Sequence, residues 1–145
     1  SNNKHKNWIK NKISLLSEKN KIEKISVLGL TYKPGTDTLR RSLSIELCNW
    51  LLKNNYKLKV HDPQINYKPI EINGSYEIYF KLKNDFFETD ILIISNECKE
   101  FLDLDFDNIF KKSSRLIIID PNSFLLKSKN KSINKFKYYN IGKSV

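Results

Sequence analysis

Three short apolar runs, Ile25–Leu30, Ile91–Ile94 and Leu116–Ile119, constrain this chain more than anything else in it. Each is too short to make a helix of useful length, and each is built almost wholly from isoleucine, leucine and valine. Such a run is the pattern of a strand buried on both faces of a parallel sheet, because a strand with one wet face would alternate apolar and polar residues. A parallel sheet needs crossovers, and the crossovers must supply the helices that cover it.

The intervening segments supply most of those elements. From Lys4 to Lys19 the residues Ile9, Ile13 and Leu16 recur at helical spacing among lysines and asparagines, which predicts a helix with one narrow apolar face. This helix looks like the end of a longer element. Ser42 is placed as the N-cap of a second helix, with Ile45, Cys48, Leu51 and Leu52 along one side and an end near Asn54-Asn55. Leu58 and Val60 predict a strand closed by His61-Asp62-Pro63. Phe101 to Lys112 reads as a short helix, acidic early and basic late. Between Gln64 and Asn84, Ile70, Ile72, Ile78 and Phe80 alternate like a strand, yet Tyr76 to Phe87 also fits a helix, and a helix after Ser75 is the reading preferred. Lys127–Lys135 is expected to be a polar surface loop and Phe136–Ile141 to supply a last strand. The whole is an open, mainly parallel α/β sheet with helices on both faces, in one domain of 145 residues.

Two cysteines, Cys48 and Cys98, lie far apart, and neither histidine stands at metal-ligand spacing, so neither a disulfide framework nor a metal site is indicated. A reducing cytoplasm fits, and no apolar run reaches the length of a membrane span. The net charge of +10 is carried mostly by lysine spread over the whole length, with arginine only at positions 40, 41 and 115. Alanine and methionine are absent, a bias that an AT-rich genome imposes without functional demand. The charge still favours anionic ligands. The missing initiator methionine points to a fragment.

Chemistry concentrates between Ile25 and Ser42, where a buried strand gives way to a cationic loop and then a helix start. Only Gly29 and Gly35 are available there, against the three glycines of a dinucleotide fingerprint, while Lys33, Arg40 and Arg41 supply charge from side chains. The loop therefore reads as a phosphate site held by side chains. In an open parallel sheet ligands bind outside the carboxyl ends of the strands, and Lys33, Asp62, Asn96 and Asp120 all fall there. Asp62 fits either a ribose contact or an Asp-Pro turn. Cys48 is simplest as a core residue, Cys98 needs a base beside it to be a nucleophile, and His61 is best read as structural. Tyr79, Phe80, Lys81 and Lys83 interleave aromatics with cations, which suits either base stacking or an ordinary amphipathic surface.

Leu28-Gly29-Leu30-Thr31-Tyr32-Lys33-Pro34-Gly35-Thr36-Asp37, followed by Arg40 and Ser42, then Asp62-Pro63, Glu97 to Phe101, Asp120 and Tyr139-Asn140-Ile141-Gly142, resembles the C-terminal domain of the UDP-glucose/GDP-mannose dehydrogenase family. The resemblance implies a Rossmann-like fold, with residues 1–20 as the end of the long helix joining two nucleotide-binding halves and residues 21–145 as the nucleotide-sugar-binding domain. It implies an enzyme that oxidises the C6 alcohol of a nucleotide sugar to a carboxylate with NAD, feeding uronic acids to a surface polysaccharide. Tyr32 and Lys33 would touch the substrate, and Arg40 would reach the NAD bound by the N-terminal half. The catalytic cysteine belongs to that half, so no catalytic residue is assigned here and the chain alone is expected to be inactive. Pairing of two copies through the central helix is implied as well.

The chain departs from the family pattern at Thr38, where aspartate is usual, at Arg41-Ser42-Leu43, which replaces Glu-Ser-Pro, and at Cys98, which replaces tryptophan. No arginine follows Asp120 where the family has a second substrate-binding one, which leaves Asn122, a lysine or nothing for that duty. The alternative reading is a basic, non-enzymatic nucleic-acid- or nucleotide-binding module; a membrane partner is not expected.

Overall fold

The computed structural model describes residues 2–33, 36–129 and 131–141. Pro34 and Gly35 of the expected phosphate loop and Gly142 of the last matched block lie outside them. Helix α1 (Asn2–Lys19) is followed by strand β1 (Lys24–Leu28), helix α2 (Leu43–Lys53), strands β2 (Lys57–His61), β3 (Glu77–Ile78) and β4 (Ile91–Ile94), helix α3 (Phe106–Lys112), and strands β5 (Ile117–Ile119) and β6 (Lys137–Tyr139). The six strands form one sheet in the order β3-β2-β1-β4-β5-β6, every pair parallel.

The three apolar runs occupy the centre of this sheet as their composition requires. Ile25 and Val27 of β1, Ile91 and Ile93 of β4, and Ile117 and Ile119 of β5 face α1 and α2, where they pack with Ile9, Ile13, Leu47, Cys48 and Leu51. The alternate residues Leu28, Leu92, Ile94 and Ile118 face the other way, onto Phe86, Phe101, Phe106, Ile109 and Phe124. Helices thus cover both faces, as expected. Phe86, Phe101 and Phe106 are almost completely enclosed, each stabilising the fold by about 1.5–3 kcal/mol relative to exposure.

The apolar stripe read in α1 docks this helix onto the sheet, with Ile13 fully buried. Ser42 caps α2 as the sequence predicts, its hydroxyl accepting from Ser44 N at 3.2 Å and Ile45 N at 3.4 Å. At the far end Asn54 closes the helix and Asn55 turns the chain with a left-handed φ of 68°.

Three expectations need correction. The segment after Ser75 is not a helix: Glu77–Ile78 pairs with β2 as an edge strand, Tyr79 N donates to Val60 O at 2.9 Å, and only a 3₁₀ turn at Asn84–Phe87 follows. The free edge of β2 offered those backbone groups a ladder, and Tyr79 seals the junction by stacking edge-on against Phe86 at 5.2 Å. The helix expected over Phe101–Lys112 is broken into a 3₁₀ turn at Lys99–Asp103 and α3, because Asp105 caps a new start by accepting from Asn108 N at 3.0 Å. The lysine-rich stretch Lys127–Lys135 includes a 3₁₀ turn at Lys131–Lys135 that buries Ile133, so it is not simply a surface loop.

Candidate functional site

Strand order reverses between β1 and β4, so the chain leaving β1 crosses one face of the sheet and the chain leaving β4 crosses the other. A crevice opens where they part. Here it is a cleft of about 280 Å³. Thr31 and Tyr32 enter it from the end of β1, Ser95, Asn96 and Glu97 from the end of β4, and Asp120, Pro121 and Asn122 from the end of β5. Leu43, Ser44 and Leu47 of α2 and His5, Lys6 and Ile9 of α1 complete the walls.

The backbone leaving β1 is held by side chains from neighbouring strands. Gly29 takes a φ of +100° and donates its N–H to His61 O at 2.8 Å. Asp62, only 1% exposed, accepts from Leu30 N at 2.7 Å and Thr31 N at 3.0 Å through Oδ2, and from Gln64 N at 2.9 Å through Oδ1. Ser42 Oγ donates to Leu30 O at 2.5 Å while it caps α2. The loop then closes on itself, with Tyr32 N donating to Thr38 O at 2.7 Å.

The sequence-derived residues divide under this geometry. Tyr32 lines the cleft and is 47% exposed. Lys33 and Arg40 are exposed and stand outside the lining; the Lys33 ammonium lies 5.9 Å from the Tyr32 ring centre. Arg41 adopts a left-handed φ of 62° in the turn before α2. Asp62 is spent on backbone amides, which is the Asp-Pro turn alternative. Asp120 lies in the wall, but its carboxylate accepts from Phe124 N at 3.1 Å, Leu125 N at 2.8 Å and the Tyr138 hydroxyl at 2.7 Å. Burial raises its pKa above the ordinary carboxylate value, and those hydrogen bonds offset part of the shift.

Neither cysteine offers a nucleophile. Cys48 is fully buried in the core under α2, which pushes its thiol pKa up. Cys98 is 2% exposed, and burial, together with the bond it donates to Glu100 Oε1 at 3.2 Å, pushes its pKa up to about 12. His61 is structural: its Nδ1 meets Tyr79 O at 2.6 Å, and burial lowers its pKa. Among the described residues no group of His, Cys, Asp and Glu is arranged to hold a metal ion, and no helix is long and apolar enough to cross a membrane.

Sequence reasoning missed the contribution of α1. Its stripe of Ile9, Ile13 and Leu16 docks the helix so that His5 and Lys6 reach the cleft, and Lys6 pairs with Glu46 of α2 at 3.1 Å. The available signal was spacing, since His5 lies four residues before Ile9 and so on the docked side.

An all-parallel sheet in this order, with its cleft at the strand-order reversal, defines a Rossmann-like domain. Residues 26–127 match the model of the UDP-glucose/GDP-mannose dehydrogenase family, UDP binding domain, and the chain belongs to that family. It is 34% identical over 124 residues to the UDP-glucose 6-dehydrogenase of Rickettsia typhi, covering 83% of this chain and 28% of that protein. It is likewise 34% identical over 134 residues to the enzyme of the same name from Rickettsia bellii, covering 91% and 31%. The fold is shared with the UDP-N-acetyl-mannosamine dehydrogenase of Staphylococcus aureus at a TM-score of 0.71 and 18% identity, over 95% of this chain and 31% of that one. The chain therefore spans under a third of the length of these relatives.

Proposed function

We propose that this chain is the nucleotide-sugar-binding part of an NAD-dependent, UDP-glucose-like 6-dehydrogenase, which oxidises a C6 alcohol to a carboxylate for polysaccharide synthesis. In this reading residues 1–20 end the helix that joins two halves, residues 21–145 form the binding domain, and the catalytic cysteine belongs to the N-terminal half. The complete protein is a cytoplasmic homodimer, and this chain alone is inactive. The observation that carries the reading is the cleft at the switch point, with Tyr32 on its rim, in a chain of this family.

The chain's own part is to bind and orient. Tyr32 offers a flat apolar face with a hydroxyl, suited to a base or sugar ring. Lys33, exposed beside it, places a mobile positive charge near the diphosphate. His5 and Lys6 of α1 and Asn122 after β5 add polar contacts from the opposite walls.

NAD does not fit the β1–α2 turn in the manner of a dinucleotide fingerprint. Among the described residues Gly29 is the single glycine there, and the space before it is filled, since a Cβ on Gly29 would lie 2.4 Å from Asn96 Oδ1. NAD is accordingly assigned to the N-terminal half, where it would supply the hydride acceptor. Arg40, exposed in the turn before α2, is assigned to reach towards it.

Calorimetry with UDP-glucose and UDP on the folded chain tests the reading. One-to-one binding that drops about tenfold, or about 1.4 kcal/mol, in Tyr32→Ala and in Lys33→Ala is expected. Absence of binding at millimolar ligand, both alone and with the N-terminal half supplied, would overturn it. A salt-steep affinity for DNA that ignores Lys33 would favour the nucleic-acid alternative.

A further inference from the structure

Asn96 follows β4 at the switch point and reaches across to the loop leaving β1. Its Nδ2 donates to Thr31 Oγ1 at 3.0 Å and to Asp62 Oδ2 at 3.2 Å, and lies 3.4 Å from Thr31 O. All three neighbours act as acceptors, so the amide cannot turn over without setting its oxygen against a carboxylate and a carbonyl. In this orientation Asn96 Oδ1 is enclosed and has no hydrogen-bond partner among the described residues. It rests instead against Gly29, where any side chain would collide with it.

An enclosed amide oxygen without a partner is a stability cost that packing alone does not offset. The compensation is the link that its other half makes. Asp62 already holds the amides of Leu30 and Thr31, and Asn96 ties that carboxylate and the Thr31 hydroxyl to the end of β4. Thr31 Oγ1 in turn donates to Lys33 O at 3.0 Å, which carries the restraint past Tyr32. The base of the loop is fixed from three strands while the Tyr32 and Lys33 side chains remain exposed.

We infer that Asn96 is a positioning residue: it clamps Thr31 to Asp62 across the switch point, holds the Thr31–Lys33 backbone in one conformation, and thereby sets the affinity for the nucleotide sugar. The inference rests on the nucleotide-sugar reading for its ligand but not for its clamp. Preorganising a binding loop raises affinity by removing the cost of ordering it on binding.

The test compares Asn96→Asp, Thr31→Val and Thr31→Ser with the parent chain, using amide hydrogen exchange and UDP-glucose calorimetry. Asn96→Asp keeps the shape but sets a carboxylate where the donor stood, turning the link to Asp62 into repulsion; Thr31→Val removes the linking hydroxyl with no added charge and keeps the volume, and Thr31→Ser retains that hydroxyl. Exchange at Leu30, Thr31 and Tyr32 should quicken at least about tenfold in Asn96→Asp and Thr31→Val, with about tenfold weaker UDP-glucose binding and unchanged protection in β1, β4 and β5. Thr31→Ser should bind like the parent. A merely structural role would favour valine over serine and would loosen the whole sheet together, which would overturn the inference. Unchanged exchange at the three amides, or faster exchange with parental affinity, would overturn it too. If the parent chain itself fails to bind UDP-glucose, the ligand reading falls, and with it the affinity part of the inference, while the exchange data still decide the clamp.

Discussion

Substituting Gly29 by alanine should damage this domain more than any other single added methyl group near the cleft, and the structure allows the damage to be apportioned. Gly29 sits at φ +100°, a conformation that L side chains rarely adopt, and forcing alanine there costs about 1–3 kcal/mol. The new Cβ would lie 2.4 Å from Asn96 Oδ1, 2.5 Å from Asn96 Cγ and 2.7 Å from Asn96 N. The first two atoms can swing away, at the loss of the Asn96 hydrogen bonds, about 0.5–1.5 kcal/mol each. The backbone N cannot, because it continues from β4 in the middle of the sheet, and overpacking of this kind costs about 1–3 kcal/mol. With the two bonds that Asn96 donates, the sum is about 3–9 kcal/mol, a large share of the 5–15 kcal/mol that typically holds a domain together. Urea unfolding followed by circular dichroism measures it, provided the denaturant slope is unchanged. In the double variant with Asn96→Ala, the side-chain part of the conflict disappears while the φ strain and the backbone contact remain, so about 1 kcal/mol should be regained relative to additivity. A loss below about 1 kcal/mol for Gly29→Ala would refute the packing described for the switch point.

Two further outcomes follow from buried titratable groups. His61 has its pKa lowered from 6.5, chiefly by burial, so as pH falls below that value the unfolded chain takes up the proton first. Stability should therefore be level above that point and decline between it and the depressed folded pKa, by up to about 1.4 kcal/mol per pH unit. Urea midpoints at several pH values should show this decline, and His61→Gln, which can still donate to Tyr79 O, should lack it; an equal decline in both proteins would exclude His61 as its source. Cys48 and Cys98 should resist a thiol reagent such as Ellman's at neutral pH in the native state and react fully in urea, since both are buried and the Cys98 pKa is pushed up to about 12. Rapid native labelling of Cys98 would contradict its placement.

The parts of the fold that could be read from sequence are those whose physics is local. Short runs dominated by isoleucine, leucine and valine gave the central strands because only burial on both faces accommodates them, and Ser42 announced α2 because its hydroxyl satisfies amides two and three residues on. The edge strand Glu77–Ile78 was not legible, since its form is decided by the open edge of β2 rather than by its own two residues. The break before α3 was missed because Asp105 competes as a cap inside a pattern that otherwise runs on. At the cleft, position along the strands located Asn96 and Asp120, yet only coordinates reveal that Asp120 is consumed by Phe124, Leu125 and Tyr138 and that Asn96 turns towards Thr31. The approach of His5 and Lys6 was legible only in part: spacing sets His5 on the docked side with Ile9, but the angle at which the helix lies on the sheet, which brings both residues to the cleft, is not written in its periodicity.

In the proposed function the cleft between the ends of β1 and β4 receives the nucleotide sugar. The most direct measurement is a titration of the isotope-labelled chain with UDP-glucose, followed by amide chemical shifts residue by residue. Saturable shifts are expected at residues 30–33, 43–47, 94–97 and 120–124, reversed by competing UDP, with the far ends of the strands unmoved. Shifts scattered over the exposed lysines, or gathered around the 3₁₀ turn at Lys131–Lys135 on α3, would contradict the proposed function.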